Sequence, residues 1–145
     1  MTPRPASVTD NLALTRLLTE IAWRIDHGDA SGVWELFTED GEMCLDGKVL
    51  RGREAIRLWG AERPAMRSLH VHTNQRFTLT GDNTAEGACV LTVYLDMPGS
   101  ADGAVPFAVG EETGHYVRTG DGWRFASRTT RVLFGGPKDS TEQRS

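Results

Sequence analysis

Apolar positions recur along this chain with two different periods, helical in the first third and strand-like afterwards. Leu14, Leu17, Leu18, Ile21, Ala22 and Ile25 fall at steps of three and four, which makes one buried stripe on a helix. Ser7 and Asp10 set an S-x-x-D start in front of that stripe, and Gly28 ends it. Asp29 is placed to cap a second, shorter helix holding Val33, Trp34, Leu36 and Phe37. Gly41–Gly52 reads as a small hairpin turning at Asp46–Gly47. Ala55, Ile56 and Trp59 return to helical spacing, and Pro64 stops this third helix.

From Ser68 onward the period is two. SLHVHTNQRFTL (Ser68–Leu79) puts Leu69, Val71, Thr73, Gln75, Phe77 and Leu79 on one face. His70, His72, Asn74, Arg76 and Thr78 take the other. If the histidine face looks inward, an apolar row looks outward and needs a partner. A β-bulge near Thr73–Asn74 would instead switch the faces partway along. Ala85–Met97 is apolar on both faces, so both faces should be covered. Phe107–Arg118 and Trp123–Phe134 follow, joined by TGDG, a hairpin turn.

Helices first and strands last point to an α+β fold, with three helices from the N-terminal half packed on one face of a curved antiparallel sheet. Such a sheet closes only partly into a cone-shaped barrel, and the space under the helices is a pocket for a small molecule. The expected unit is a single domain over residues 7–134, with flexible termini at 1–6 and 135–145. Pro98–Pro106 is a Gly/Pro-rich loop suited to a lid or to disorder.

Composition narrows the class. A charge of −4 without a Lys/Arg cluster argues against nucleic acid as a partner. No apolar run reaches the length of a membrane span, and the N-terminus has no secretory h-region, so a cytoplasmic protein is expected. Cys44 and Cys89 read as buried thiols, since nothing basic adjoins either in sequence. No phosphate-binding loop and no G-x-S-x-G is present, which disfavours nucleotide cofactors and serine-hydrolase chemistry.

Two residues stand out chemically. Asp26 lies at the edge of the helical stripe in the last turn, where the helix dipole disfavours an acid, so local helix stability does not explain it. His70 is a candidate general base, and a carboxylate on its second nitrogen would fix its tautomer. The ordinary alternatives are a solvated acid and a hydrogen-bonded strand histidine. His72, two residues on, reads as a rim or interface residue. A metal on His70 and His72, completed by Glu111, Glu112 or His115, lacks a recognised spacing. His115 is either a second acid–base group or a paired strand residue.

Asp26, FTEDGEM (Phe37–Met43), the H-x-x-T-N of His70–Asn74 and the late DGWRF (Asp121–Phe125) together resemble the SnoaL-like polyketide cyclase superfamily of the nuclear-transport-factor-2-like fold. The resemblance runs from about Leu12 to Phe134. It implies a barrel that is commonly dimeric through its outer sheet face, with an apolar pocket inside. The pattern is similar to that of scytalone dehydratases and hexachlorocyclohexane dehydrochlorinases, in which a histidine–aspartate dyad removes a proton. Asp26 and His70 match that dyad, while the later polar group is matched less securely by His115 or Arg118. No Tyr/Asp oxyanion pair of the ketosteroid isomerase kind is evident.

The expectation is therefore a lyase or isomerase-cyclase that needs no cofactor and no metal and acts on a small, largely apolar compound. His70 and Asp26 would be catalytic, with His115 or Arg118 stabilising oxygen charge. Trp34, Phe37, Trp59, Tyr94 and Trp123 would shape the pocket. The alternative is a non-catalytic binding or assembly module of the same fold, for which fold alone gives no exclusion.

Overall fold

The computed structural model describes residues 2–96 and 104–137. Its elements are β1 (Arg4–Pro5), α1 (Val8–His27), a 3₁₀ segment (Ala30–Leu36), β2 (Phe37–Leu45), β3 (Lys48–Arg51), α2 (Arg53–Glu62), β4 (Ser68–Leu79), β5 (Thr84–Leu95), β6 (Ala108–Thr119) and β7 (Gly122–Gly135). The strands form one sheet in the order β1-β4-β5-β6-β7-β2-β3, so it is α+β and not closed. The sheet is mixed rather than wholly antiparallel, because β2 runs parallel to β7.

Helix α1 starts as its sequence directs. Ser7 Oγ accepts the Asp10 N–H at 3.1 Å and the helix buries Leu14, Leu17, Leu18, Ile21, Ala22 and Ile25. The second expected helix is a 3₁₀ segment that ends one residue short, and Phe37 opens β2 instead. Phe37 pairs in register with Phe125 of β7, with ring centroids 5.0 Å apart. That fully buried stack outweighs one more residue of local helix. Asp46 and Gly47 both take positive φ, 46° and 97°, which is the two-residue turn that joins β2 to β3.

The bulge in β4 is present. Register shifts between Thr73 and Arg76, and Asn74 sits at φ 56°, a left-handed conformation that asparagine tolerates better than most residues. Ser68, His70 and His72 face the helices before it, and Phe77 and Leu79 do so after it. One extra residue thus gives the strand a polar inner half and an apolar inner half.

The lead-in is more ordered than its composition indicates. Arg4 and Pro5 pair with Leu79 and Thr78, and Ala6 donates to the Phe77 carbonyl at 3.1 Å. This short strand covers the free edge of β4, an edge position where proline is tolerated. Most of the expected Pro98–Pro106 loop and the tail beyond Pro137 lie outside the described residues. Cys89 is buried, whereas Cys44 is only half-buried.

The core divides along the strands. At one end Phe37, Phe77, Tyr116, Trp123 and Phe125 fill the space between sheet and helices. Tyr116 meets Phe125 at 5.3 Å and Phe77 edge-on at 5.8 Å. At the other end, the polar half of β4 faces the C-terminal end of α1.

Candidate active site

Asp26 and His70 meet. Asp26 Oδ1 lies 2.6 Å from His70 Nδ1, and its side chain is 3% exposed. The same oxygen accepts the Ser68 hydroxyl at 2.8 Å, and Oδ2 accepts the His70 backbone N–H at 2.7 Å. Among the described residues every hydrogen bond to the carboxylate therefore comes from one stretch of β4, and both of its oxygens are engaged. This answers why an acid sits at the unfavourable end of α1: its partners are across the core. An Asp26 carboxylate on Nδ1 makes that nitrogen the N–H donor and leaves Nε2 with its lone pair.

His70 Nε2 has no protein partner among the described residues. The buried side-chain atoms lacking a partner there are Glu112 Oε2 and Arg128 Nε, so Nε2 is not sealed, in keeping with the 14% exposure of the His70 side chain. Burial pushes the His70 pKa below the ordinary 6.5. Asp26 opposes that shift by hydrogen bond and charge, while the cations of Arg128 and Arg63 add to it. The imidazole is accordingly a neutral base near pH 7.

His72 is not a rim residue. Its side chain is 5% exposed and its Nε2 lies 3.3 Å from Glu112 Oε1. Arg128 Nη2 meets that same oxygen at 2.5 Å, with both side chains almost wholly buried. Arg128 Nη1 reaches Met43 Sδ at 3.7 Å. Burial alone would raise the Glu112 pKa, but Arg128 and His72 outweigh it and hold the carboxyl below its usual value. The His72, Cys89 and Glu112 ligand atoms lie within 4.8 Å of one another. Arg128 already supplies the cation there, and burial, with the neighbouring Glu112 carboxylate, pushes the Cys89 thiol up to about 12, which disfavours a thiolate ligand. His70 is committed to Asp26, so the two histidines do not converge on one point.

His115 and Arg118, the later polar candidates, both lie away from the pair. His115 is exposed on the outer sheet face, opposite Glu86, beside a groove of about 320 Å³ that Arg76 and Thr113 also line. Alternation along β6 explains this, since its neighbours Gly114 and Tyr116 point inward. Arg118 pairs with Asp10 at 3.1 Å and lies over the Trp123 ring at 4.7 Å, at the aromatic end. Neither is near His70. The cation that acts on His70 from the sheet is Arg128.

Of the expected pocket residues, Phe37 and Trp123 are core, and Trp123 Nε1 donates to Asp10 at 3.3 Å. Trp34 and Trp59 are half-buried against the core, Trp34 under the Arg53 guanidinium at 5.4 Å. Tyr94 faces outward opposite the exposed Leu69, because Cys89 and Leu91 of the same strand take the inner face. A cleft of about 580 Å³ opens at the end of α1, lined by Asp26, His27, Ser31, Arg63 and Met66 among others. It reaches the carboxylate of the pair; His70 is not in its wall.

Arg128 is the residue that sequence reasoning missed, while Glu112 entered it only as a third ligand for a metal on His70 and His72. Glu111 and Glu112 are adjacent, so one of them had to face inward whatever the register. Arg128 had no such signal. Counting alternately from the buried Trp123 and Phe125 leads to Ser127, but a register shift between β6 and β7 near His115 turns Arg128 inward instead.

Among known proteins, a family model described as a SnoaL-like domain matches residues 6–129. No curated protein matches the chain significantly. Several solved structures share its fold. One is a putative aromatic ring hydroxylase from Novosphingobium aromaticivorans, 26% identical over 93% of this chain and 98% of that one, with a TM-score of 0.78. An NTF2-like protein with a cystatin-like fold from the same organism is 24% identical over 93% and 88%, with a TM-score of 0.76. A putative scytalone dehydratase, again from N. aromaticivorans, is 18% identical over 88% and 86%, with a TM-score of 0.75. Among the described residues no helix is long and apolar enough to cross a membrane.

Proposed function

The chain belongs to the SnoaL-like domain family, and from that premise we propose that it is a cofactor-independent lyase or isomerase-cyclase. His70 Nε2 takes a proton from a small, largely apolar carbonyl or hydroxyl compound. Asp26 holds the imidazole by Nδ1 and stabilises the imidazolium that forms. Arg128, fixed by Glu112, supplies positive charge on the same inner face for oxygen charge that develops as the proton leaves. Arg128 takes the place in this reading that His115 and Arg118 held on sequence grounds.

The observation that carries the reading is the buried 2.6 Å contact of Asp26 with Nδ1, combined with an unsealed Nε2. The test is proton exchange. A panel of polyketide-like ketones is incubated with protein in deuterated buffer and followed by NMR. Label entering the carbon next to the carbonyl with wild type but not with His70→Ala supports the reading. Binding without any exchange or turnover across the panel turns it toward the ligand-binding module.

The same reading takes the working species as a homodimer through the outer sheet face, where Leu69 and Val71 are 51% and 40% exposed in the single chain. Light scattering should show twice the chain mass at micromolar concentration, and a monomer would remove this part of the proposal.

A further inference from the structure

The Asp26–His70 pair does not end at Asp26. Ser68 Oγ donates to Asp26 Oδ1 at 2.8 Å and itself accepts from Arg63 Nη2 at 3.2 Å. Arg63, Ser68, Asp26 and His70 thus form one chain of donors and acceptors that leads from the cleft to the base. Arg63 and Asp26 both line that cleft. We propose that Ser68 and Arg63 are positioning residues that set the proton affinity of His70 from the cleft side, holding it neutral while Asp26 fixes its orientation. This rests on the reading of His70 as the base.

The local structure shows why Arg63 stands where it does. Helix α2 ends at Glu62 and Pro64 follows, so the backbone at Arg63 has left the helix, at ψ 128°. The last turn of α2 is pressed against the 3₁₀ segment. A Cβ on Gly60 would lie 2.0 Å from the Ala30 carbonyl oxygen, so only glycine permits this approach. That contact fixes where the helix stops, and with it the point from which the Arg63 side chain reaches Ser68.

The chemistry is a competition at one oxygen. The Ser68 hydroxyl and His70 Nδ1 both address Asp26 Oδ1. A hydroxyl donating to that oxygen weakens it as an acceptor for Nδ1, so it lowers the stabilisation of imidazolium. The Arg63 guanidinium orients the hydroxyl, since its N–H occupies an Oγ lone pair, and its charge disfavours a second cation at His70. The charged groups bearing on His70 are Asp26 from α1, Arg63 from the segment after α2 and Arg128 from β7. Glu112 of β6 acts one step away, through His72 and Arg128. Asp26 pulls the His70 pKa up and the two cations pull it down, as does burial. Asp26 therefore has an opposite sign from Arg63 and Ser68, and a merely structural role predicts no such pattern.

The test is an NMR titration of the four imidazoles in the whole chain, which needs no substrate. Relative to wild type, Arg63→Met and Ser68→Ala should each move the His70 midpoint upward. Arg63→Lys, which keeps the charge, should restore most of the difference. Asp26→Asn should move the midpoint downward. In Ser68→Ala the Nδ1 proton should also shift further downfield, because Asp26 Oδ1 becomes a better acceptor. An unchanged or lowered midpoint in folded Ser68→Ala overturns the proposal, and so does the same result in folded Arg63→Met. If Arg63→Met does not fold, Ser68→Ala decides alone. Failure here with His70→Ala still inactive leaves the catalytic reading standing; a confirmed titration pattern without proton exchange on any ketone does the reverse.

Discussion

Two histidines stand two residues apart on one face of β4, each with a buried carboxylate, and they are built for different work. The Asp26 carboxylate accepts three hydrogen bonds, all from Ser68 and His70. Its histidine keeps one nitrogen open. The Glu112 carboxylate shares a single oxygen between His72 and Arg128, while Oε2 and the Arg128 Nε are buried without a partner. The first arrangement is a satisfied clamp on a group left free to react. The second is a charge cluster with capacity to spare, where the cation rather than the imidazole is the useful part. A buried ion pair with unpaired atoms contributes little net stability, since desolvation offsets most of the attraction. On the proposed function, what it contributes beside His70 is electrostatic field rather than fold stability.

That contrast can be broken by experiment. The largest expected effect is on turnover at the first pair. His70→Ala removes the proton acceptor, and general-base catalysis is worth roughly 10²–10⁴-fold in rate. Asp26→Asn should cost a comparable factor, and the double variant should be little worse than His70→Ala alone because the pair acts as a unit. Additive losses in steady-state kinetics would dissolve the dyad.

Next comes stability at the second pair. Arg128→Met removes the main cation facing the buried Glu112, a cost of about 3–5 kcal/mol by denaturant melts. Adding Glu112→Gln should recover part of it. A double variant no more stable than Arg128→Met would mean that the two charges do not compensate each other.

A subtler difference lies in pH. The His70 pKa is lowered from 6.5, so its base form persists into mildly acidic solution. The acid limb of kcat/KM should therefore fall below pH 6.5, and a limb above it would contradict a His70 base. The same shift makes the native state bind fewer protons than the unfolded chain around this pH. The stability due to His70 is thus full above 6.5 and declines as pH falls toward the folded pKa.

The smallest expected effect is that of His72→Ala on the chemical step. It should leave kcat within a few-fold of wild type while lowering stability by roughly 1–3 kcal/mol, the usual cost of an unsatisfied buried group. A loss of kcat as deep as that of His70→Ala would erase the distinction between the two histidines.

Much of this was legible beforehand, and the particular residues show why. Helix α1 was readable because its cap and stripe are local: Ser7, Asp10 and six apolar residues lie within one element. Asp26 and His70 were each conspicuous, one as an acid at the wrong end of a helix and the other in the H-x-x-T-N pattern. Phe37 was misread as helical because its partner, Phe125, is almost ninety residues away. His115 and Arg118 fit the chemistry by residue type, but strand phase puts His115 on the outer face and position along β6 puts Arg118 at the aromatic end, against Asp10 and Trp123.

By itself, then, the sequence determined the α+β order of elements and the two members of the candidate dyad. Periodicity and capping are properties of neighbouring residues, and an imidazole or carboxylate is what it is at any position. Tertiary structure alone decided which side chains share the interior with that dyad. Bulges at Asn74 and near His115 shift strand phase by one residue. Each shift turns side chains from one face of the sheet to the other. Phase accumulates along a strand, so one inserted residue redirects everything after it. That is why Arg128 faces inward although alternation from Phe125 would have put Ser127 in its place.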